Sequence, residues 1–164
     1  MEYVWENGIM QGMTPTTFEP NGTTTRAQFA TVIYRMAGSP TVSDELRAKC
    51  PFTDLTQDWY KDAVAWAYDA GVVKGTSDTT FTPGANITRE QMVAMLYRYD
   101  GEKAVTGDLT QFTDNASISD YARPAVAWAV ANGIIKGMND GTFQPQGSAT
   151  REQMAAIMHR YKTL

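Results

Sequence analysis

The sequence predicts a mainly α protein built from three copies of one helix–loop–helix unit, with short extended segments in the loops. Two observations carry that prediction. The first is a helix-start signature that occurs three times: Thr25-Arg26-Ala27-Gln28, Thr88-Arg89-Glu90-Gln91 and Thr150-Arg151-Glu152-Gln153. A Thr followed three residues later by Gln is a capping box, in which the hydroxyl accepts the N3 amide and the Gln reaches back to the cap amide. The second is register. The motif arginines are spaced by 63 and 62 residues, and the same steps relate Gly8, Gly71 and Gly133, Gly12, Gly75 and Gly137, and Pro20, Pro83 and Pro145. A fixed period of this kind marks a repeat architecture.

The second copy shows the whole unit. It opens with Phe52-Thr53-Asp54 and passes through Trp59-Tyr60 into a helical pattern over about Lys61 to Ala70, where Val64, Ala67 and Tyr68 recur at helical spacing. Gly71 stands where a left-handed residue closes a helix. Val72-Val73-Lys74-Gly75 and Thr79-Thr80-Phe81-Thr82-Pro83 read as extended pieces joined by a turn. The third copy spells that turn Asn139-Asp140-Gly141. In the capped second helix Met92, Met95, Leu96 and Tyr99 form one apolar stripe. Phe29, Val32, Ile33 and Met36 repeat it, as do Met154, Ile157, Met158 and Tyr161. Each unit is too small to bury a core alone, so the stripes are expected to meet in a shared helical core.

The repeats fall at 1–38, 52–101 and 112–164, with linkers at 39–51 and 102–111. Ser43 to Arg47 is expected to form a helical turn, and the second linker a loop. The first copy has nothing equivalent to Phe52 through Ala65, and the chain opens mid-pattern at Met1-Glu2-Tyr3. That opening is expected of a cleaved or trimmed N-terminus, or of a first repeat that dispenses with its first helix.

Composition removes several classes of function. A net charge of −4 on 164 residues argues against a nucleic-acid binder, which needs a concentrated basic face. One Cys and one His give no internal disulfide and no zinc spacing. A Cys50–His159 nucleophilic pair is set aside because His159 occupies the position of Tyr34 and Tyr97. The Asp140-Gly141 turn lacks the alternating oxygen ligands and terminal Glu of a calcium loop. No apolar run of membrane-spanning length is present, so no membrane insertion is expected. No cofactor, metal or catalytic constellation is expected, and the chain reads as a non-enzyme.

The ordered set of motifs resembles the S-layer homology (SLH) family. The resemblance rests on Phe52-Thr53-Asp54 and Phe112-Thr113-Asp114, on Gly71-Val72-Val73-Lys74-Gly75 and Gly133-Ile134-Ile135-Lys136-Gly137, on Asp140-Gly141-Thr142-Phe143-Gln144-Pro145, and on Ile87-Thr88-Arg89-Glu90-Gln91. It implies three repeats around a pseudo-threefold axis, hence a monomeric pseudo-trimer. It also implies an extracellular module that anchors proteins non-covalently to the bacterial cell wall. The implied ligand is secondary cell-wall polysaccharide, commonly carrying ketal-linked pyruvate, held in grooves between repeats. The motif arginine, a main carrier of that binding in the family, maps to Arg26, Arg89 and Arg151. The family's Glu at the fourth motif position is Gln28, Gln91 and Gln153 here. The first-helix Trp is present as Trp59 but is Tyr121 in the third copy.

A pyruvylated sugar presents a carboxylate, hydroxyls and an apolar face. An Arg fork suits the carboxylate, and backbone N–H groups at a helix start or Gly turn suit the same anion. An aromatic ring suits the apolar face. The candidate site is therefore Arg26, Arg89 and Arg151 with Gly12, Gly75 and Gly137, and Trp59 and Tyr121. The competing reading of each Arg is a surface salt bridge to a carboxylate such as Asp54 or Glu90. A cation in the first turn opposes the helix dipole, so the Arg looks left over from the structural account. On that reading, replacing Arg89 by Ala lowers glycan affinity and leaves thermal stability nearly unchanged. Trp66 and Trp128 are expected to pack against the second helix, Lys74 and Lys136 to be solvated, and Arg35, Arg98 and Arg160 to satisfy helix C-termini. The alternative function is a structural, protein–protein assembly module that has lost glycan binding.

Overall fold

A computed structural model describes Gly8 and residues 17–164. Six α-helices are described: α1 (Arg26–Met36), α2 (Asp44–Lys49), α3 (Asp58–Asp69), α4 (Arg89–Tyr99), α5 (Arg123–Ala131) and α6 (Arg151–Lys162), with a 3-10 turn at Asn115–Ser117. The fold is mainly α. Helices α1, α4 and α6 carry the repeated motif, and all three capping boxes close as the sequence requires, with the Thr hydroxyl and the Gln side chain both engaged.

Helix α3 starts earlier than its apolar periodicity suggested, at Asp58, because its first turn carries the exposed Asp58 and Trp59. The linker helix α2 is capped by Ser43 and runs slightly beyond Arg47. The segments after Gly71 are non-helical but form no strands among the described residues; three isolated antiparallel bridges appear instead, Thr23–Thr150, Thr25–Asn86 and Thr88–Ser148.

Those bridges belong to a closed ring. The amide of Thr24 donates to Ala149 O, that of Ala149 to Ile87 O, and that of Ile87 to Thr24 O, at 2.8–2.9 Å. Each repeat thus hydrogen-bonds the other two around a pseudo-threefold axis. The same ring satisfies the orphan amides of the motif helices. Arg26 N donates to Ala85 O and Ala27 N to Pro83 O. Arg89 and Glu90 do the same to Gly147 and Pro145, and Arg151 and Glu152 to Gly22 and Pro20. Every motif helix is capped partly by the loop of the next repeat.

The apolar stripes are buried in one continuous core, with Phe29, Ile33, Met92, Leu96, Met154 and Met158 almost wholly inaccessible. The closest helix pairs cross repeat boundaries: α1 packs on α3 and α4 on α5, while α1 and α4 touch less extensively. The core is therefore less a bundle of three motif helices than a cyclic exchange, each Trp helix lying on the preceding repeat. Trp66 and Trp128 bear this out. Trp66 contacts Tyr34 at 5.6 Å and Tyr99 at 6.4 Å between ring centroids, and Trp128 contacts Tyr97 at 5.6 Å and Tyr161 at 6.1 Å. Both tryptophans are packing residues.

Candidate functional site

Among the described residues, two related grooves between repeats are lined by motif arginines. The first, of about 380 Å³, is lined by Arg26 of repeat 1, by Lys74, Gly75 and Thr76 and by Gln91, Met95 and Arg98 of repeat 2, and by Tyr121 of repeat 3. The second, of about 250 Å³, is its counterpart one repeat on, lined by Arg89, by Ile135 to Asn139, and by Glu152, Gln153, Ile157 and Arg160. Arg151 lines neither of these two grooves, and Gly12 lies outside the described residues.

The motif arginines are not left over. Arg26, Arg89 and Arg151 are only 4–5% exposed. Their Nε groups donate to Phe81 O, Phe143 O and Phe18 O at 2.7–2.8 Å, always on the next repeat. Each guanidinium also lies over the ring of that Phe, 4.6–5.2 Å from its centroid. Arg26 adds a bond from Nη2 to Lys74 O at 2.9 Å. Among the described residues Arg26 and Arg89 make no salt bridge, so the competing reading does not describe them. Asp54 and Asp114 instead accept the amides of Phe81 and Thr82, and of Phe143 and Gln144. Thr82 and Gln144 have φ of +56° and +54°, so these carboxylates hold backbone in a costly conformation. The motif Arg clasps the loop that the Asp has shaped.

The first-turn amides of α1, α4 and α6 are consumed by the capping box and by the neighbouring loop, which removes the helix N-terminus as an anion site. Gly75 and Gly137 line the grooves but are required for close packing. A Cβ at Gly75 would lie 2.1 Å from Ser77 O, and one at Gly137, where φ is +74°, would lie 2.7 Å from the Phe112 ring.

Arg98 and Arg160 were expected to serve helix C-termini. Both stand in the last turn of their helix, and they also reach the turn of their own repeat, Arg98 Nη1 to Val72 O at 3.5 Å and Arg160 Nη1 to Ile134 O at 3.1 Å. Neither meets a carboxylate at salt-bridge distance, and both line a groove. A signal for them was present. Gln91, Ala94, Met95 and Arg98 stand at i, i+3, i+4 and i+7, a second stripe beside the apolar one. Burial lowers the pKa of Arg26 and of Arg98, and at Arg98 the charge of Glu102 opposes the shift.

Tyr121 is half-exposed, and its hydroxyl donates to Glu90 Oε1 at 3.2 Å. Burial, then Glu90, push its pKa up to about 12, so the phenol is neutral in ordinary conditions. Trp59, its counterpart, is also exposed; its Nε1 donates to Gln57 and it lines neither groove described. Lys74 and Lys136 are exposed at the groove rims. Burial raises the Cys50 thiol pKa, which disfavours the nucleophilic thiolate. Among the described residues no group of three His, Cys, Asp or Glu converges as for a metal, and no helix is long and apolar enough to cross a membrane.

A ring of three cyclically clasped helix–loop–helix units with cationic grooves between them defines a repeat-built module. The sequence model of the S-layer homology domain matches residues 1–30, 51–93 and 111–155, and the chain belongs to that family. It is 38% identical over 97% of its length to an amylopullulanase of Thermoanaerobacterium thermosulfurigenes, covering 8% of that protein. It is 31% identical over 93% to the surface-layer 125 kDa protein of Lysinibacillus sphaericus, covering 13%. It is 30% identical over 87% to a cellulosome-anchoring protein of Acetivibrio thermocellus, covering 33%. The chain thus spans a third or less of these relatives. Its family places it at the bacterial cell surface as a wall-anchoring module.

Proposed function

We propose that the module holds its parent protein to the wall by binding an anionic secondary wall polysaccharide, with pyruvylated sugars as the recognised units, in the inter-repeat grooves. The observation that carries this reading is the first groove. Arg26 and Arg98 are desolvated there with no carboxylate among the lining residues, and Tyr121 stands beside them. A partly desolvated cation with no carboxylate at salt-bridge distance favours an incoming one, and each charge-assisted contact is worth roughly 1.5–3 kcal/mol. Tyr121 offers a ring to the sugar's apolar face, and Lys74 a mobile charge at the rim. In the second groove Arg89, Arg160, Lys136 and Gly137 take the same places. By repeat register in the sequence, Arg151, Gly12 and Trp59 are the corresponding positions for a third site. The relatives named as surface-layer and anchoring proteins agree with this role.

The test is co-sedimentation of the module with purified wall polysaccharide, before and after mild-acid removal of ketal pyruvate. Binding that disappears with the pyruvate is expected. Failure to bind any native wall preparation would leave the protein–protein assembly reading in its place.

A further inference from the structure

The motif position after the Arg is Ala27, Glu90 and Glu152 in the three repeats, and the two glutamates have opposite fates. Glu152 is exposed and lines the second groove. Glu90 is 2% exposed, although it carries a carboxylate and has no cationic partner at salt-bridge distance. Burying it requires hydrogen bonds, and four donors converge on it from repeat 3. Ser119 N donates to Oε2 at 3.0 Å; Ser119 Oγ, Gln146 Nε2 and Tyr121 O–H donate to Oε1 at 2.7, 2.7 and 3.2 Å. No other carboxylate among the described residues gathers so many donors from another repeat. The cluster sits behind Tyr121, on the wall that the tyrosine gives to the first groove.

We propose that Glu90 is a positioning residue that fixes Tyr121 as the wall of the first groove, opposite Arg26 and Arg98, and so makes that groove the tighter of the two described for a pyruvylated sugar. The inference rests on the glycan reading above. A hydroxyl-anchored ring is held in one orientation, so its contact with the apolar face of the sugar carries little entropic cost. Among the described residues the second groove has no aromatic in its lining, and Glu152 adds a carboxylate to it. Like charge in a partly desolvated groove weakens anion binding.

The grooves carry separate reporters, since Met95 lines the first and Met138 the second. The experiment is a titration of the full 164-residue chain, with 13C-labelled methionine methyls, by a pyruvate-ketal hexoside. Met95 is expected to reach half-saturation at about tenfold lower ligand than Met138, a difference of about 1.4 kcal/mol. Glu90→Ala, which installs the residue repeat 1 already uses, is expected to shift the Met95 curve several-fold and leave the Met138 curve in place. Tyr121→Ala is expected to do the same, and the double variant to go no further than Tyr121→Ala alone. Tyr121→Phe keeps the ring but loses the anchor, and is expected to fall between wild type and Tyr121→Ala. The unmoved Met138 curve certifies the fold of each variant. Equal saturation of the two methyls, or a Met95 curve indifferent to Glu90→Ala, overturns the proposal while the glycan reading stands. Silence of both methyls at millimolar ligand overturns both.

Discussion

The two arginines of α4, nine residues apart, do different work. Arg89 is buried at the helix start, bonded to the carbonyl of Phe143 and stacked on its ring. Arg98 stands at the helix end, half-buried, with one long bond to Val72 O and a place in the groove lining. Reasoning from the helix dipole alone assigns these roles the other way round. It makes Arg89 costly and spare, and Arg98 a useful terminal cation. The dipole term is only a few tenths of a kcal/mol, however, and an inter-repeat bond to a buried carbonyl outweighs it several-fold. A residue that looks idle within its own helix can be fully employed by its neighbour.

The contrast is open to direct attack. Arg26→Ala is expected to have the largest effect, a loss of roughly 3–4 kcal/mol in denaturant unfolding, because two carbonyls and a ring lose their partner. Arg89→Ala should cost about 2–3 kcal/mol by the same measurement, since one carbonyl and one ring are abandoned. A loss below about 0.5 kcal/mol would restore the view that this Arg is spare. That is a reversal of the near-zero stability effect expected from sequence.

Arg98→Ala should behave in the opposite way. Its polysaccharide affinity should fall about tenfold, read by calorimetric titration, with unfolding free energy changed by less than about 1 kcal/mol. If stability falls and affinity does not, the two arginines share one structural job. The smallest effect is expected at the axis, where Thr24 Oγ1 is buried with no hydrogen-bond partner, between Ile87 and Ala149 of the other repeats. Thr24→Val should raise stability by about 1 kcal/mol and leave binding untouched, which separates the ring from the grooves.

Part of the groove lining is legible in the sequence, but unevenly. Recurrence marks Arg26, Arg89, Gly75 and Gly137, the family resemblance marks Tyr121, and all five line grooves. Arg98 and Arg160 recurred equally and were passed over because a terminal cation already had a local explanation. Glu90 gave no signal at all. As a letter it equals Glu152, and only the arrival of Ser119, Tyr121 and Gln146 from another repeat distinguishes the two. The reading of Trp66 and Trp128 as packing residues held because apolar periodicity reports burial whichever partner does the burying.

By itself the sequence determined what depends on near neighbours along the chain: the repeat period, the capping boxes, the apolar stripes and the family. Those features rest on hydrogen bonds three residues apart and on side chains a turn apart, so the order of residues suffices. Tertiary structure alone decided which repeat supplies each partner. Arg89 meets Phe143 fifty-four residues away, and Thr24, Ile87 and Ala149 close a ring no one repeat contains. Whether a buried charge is a clasp, a lock or a ligand site depends on what desolvates it and what accepts its protons, and in this molecule both come from the next repeat.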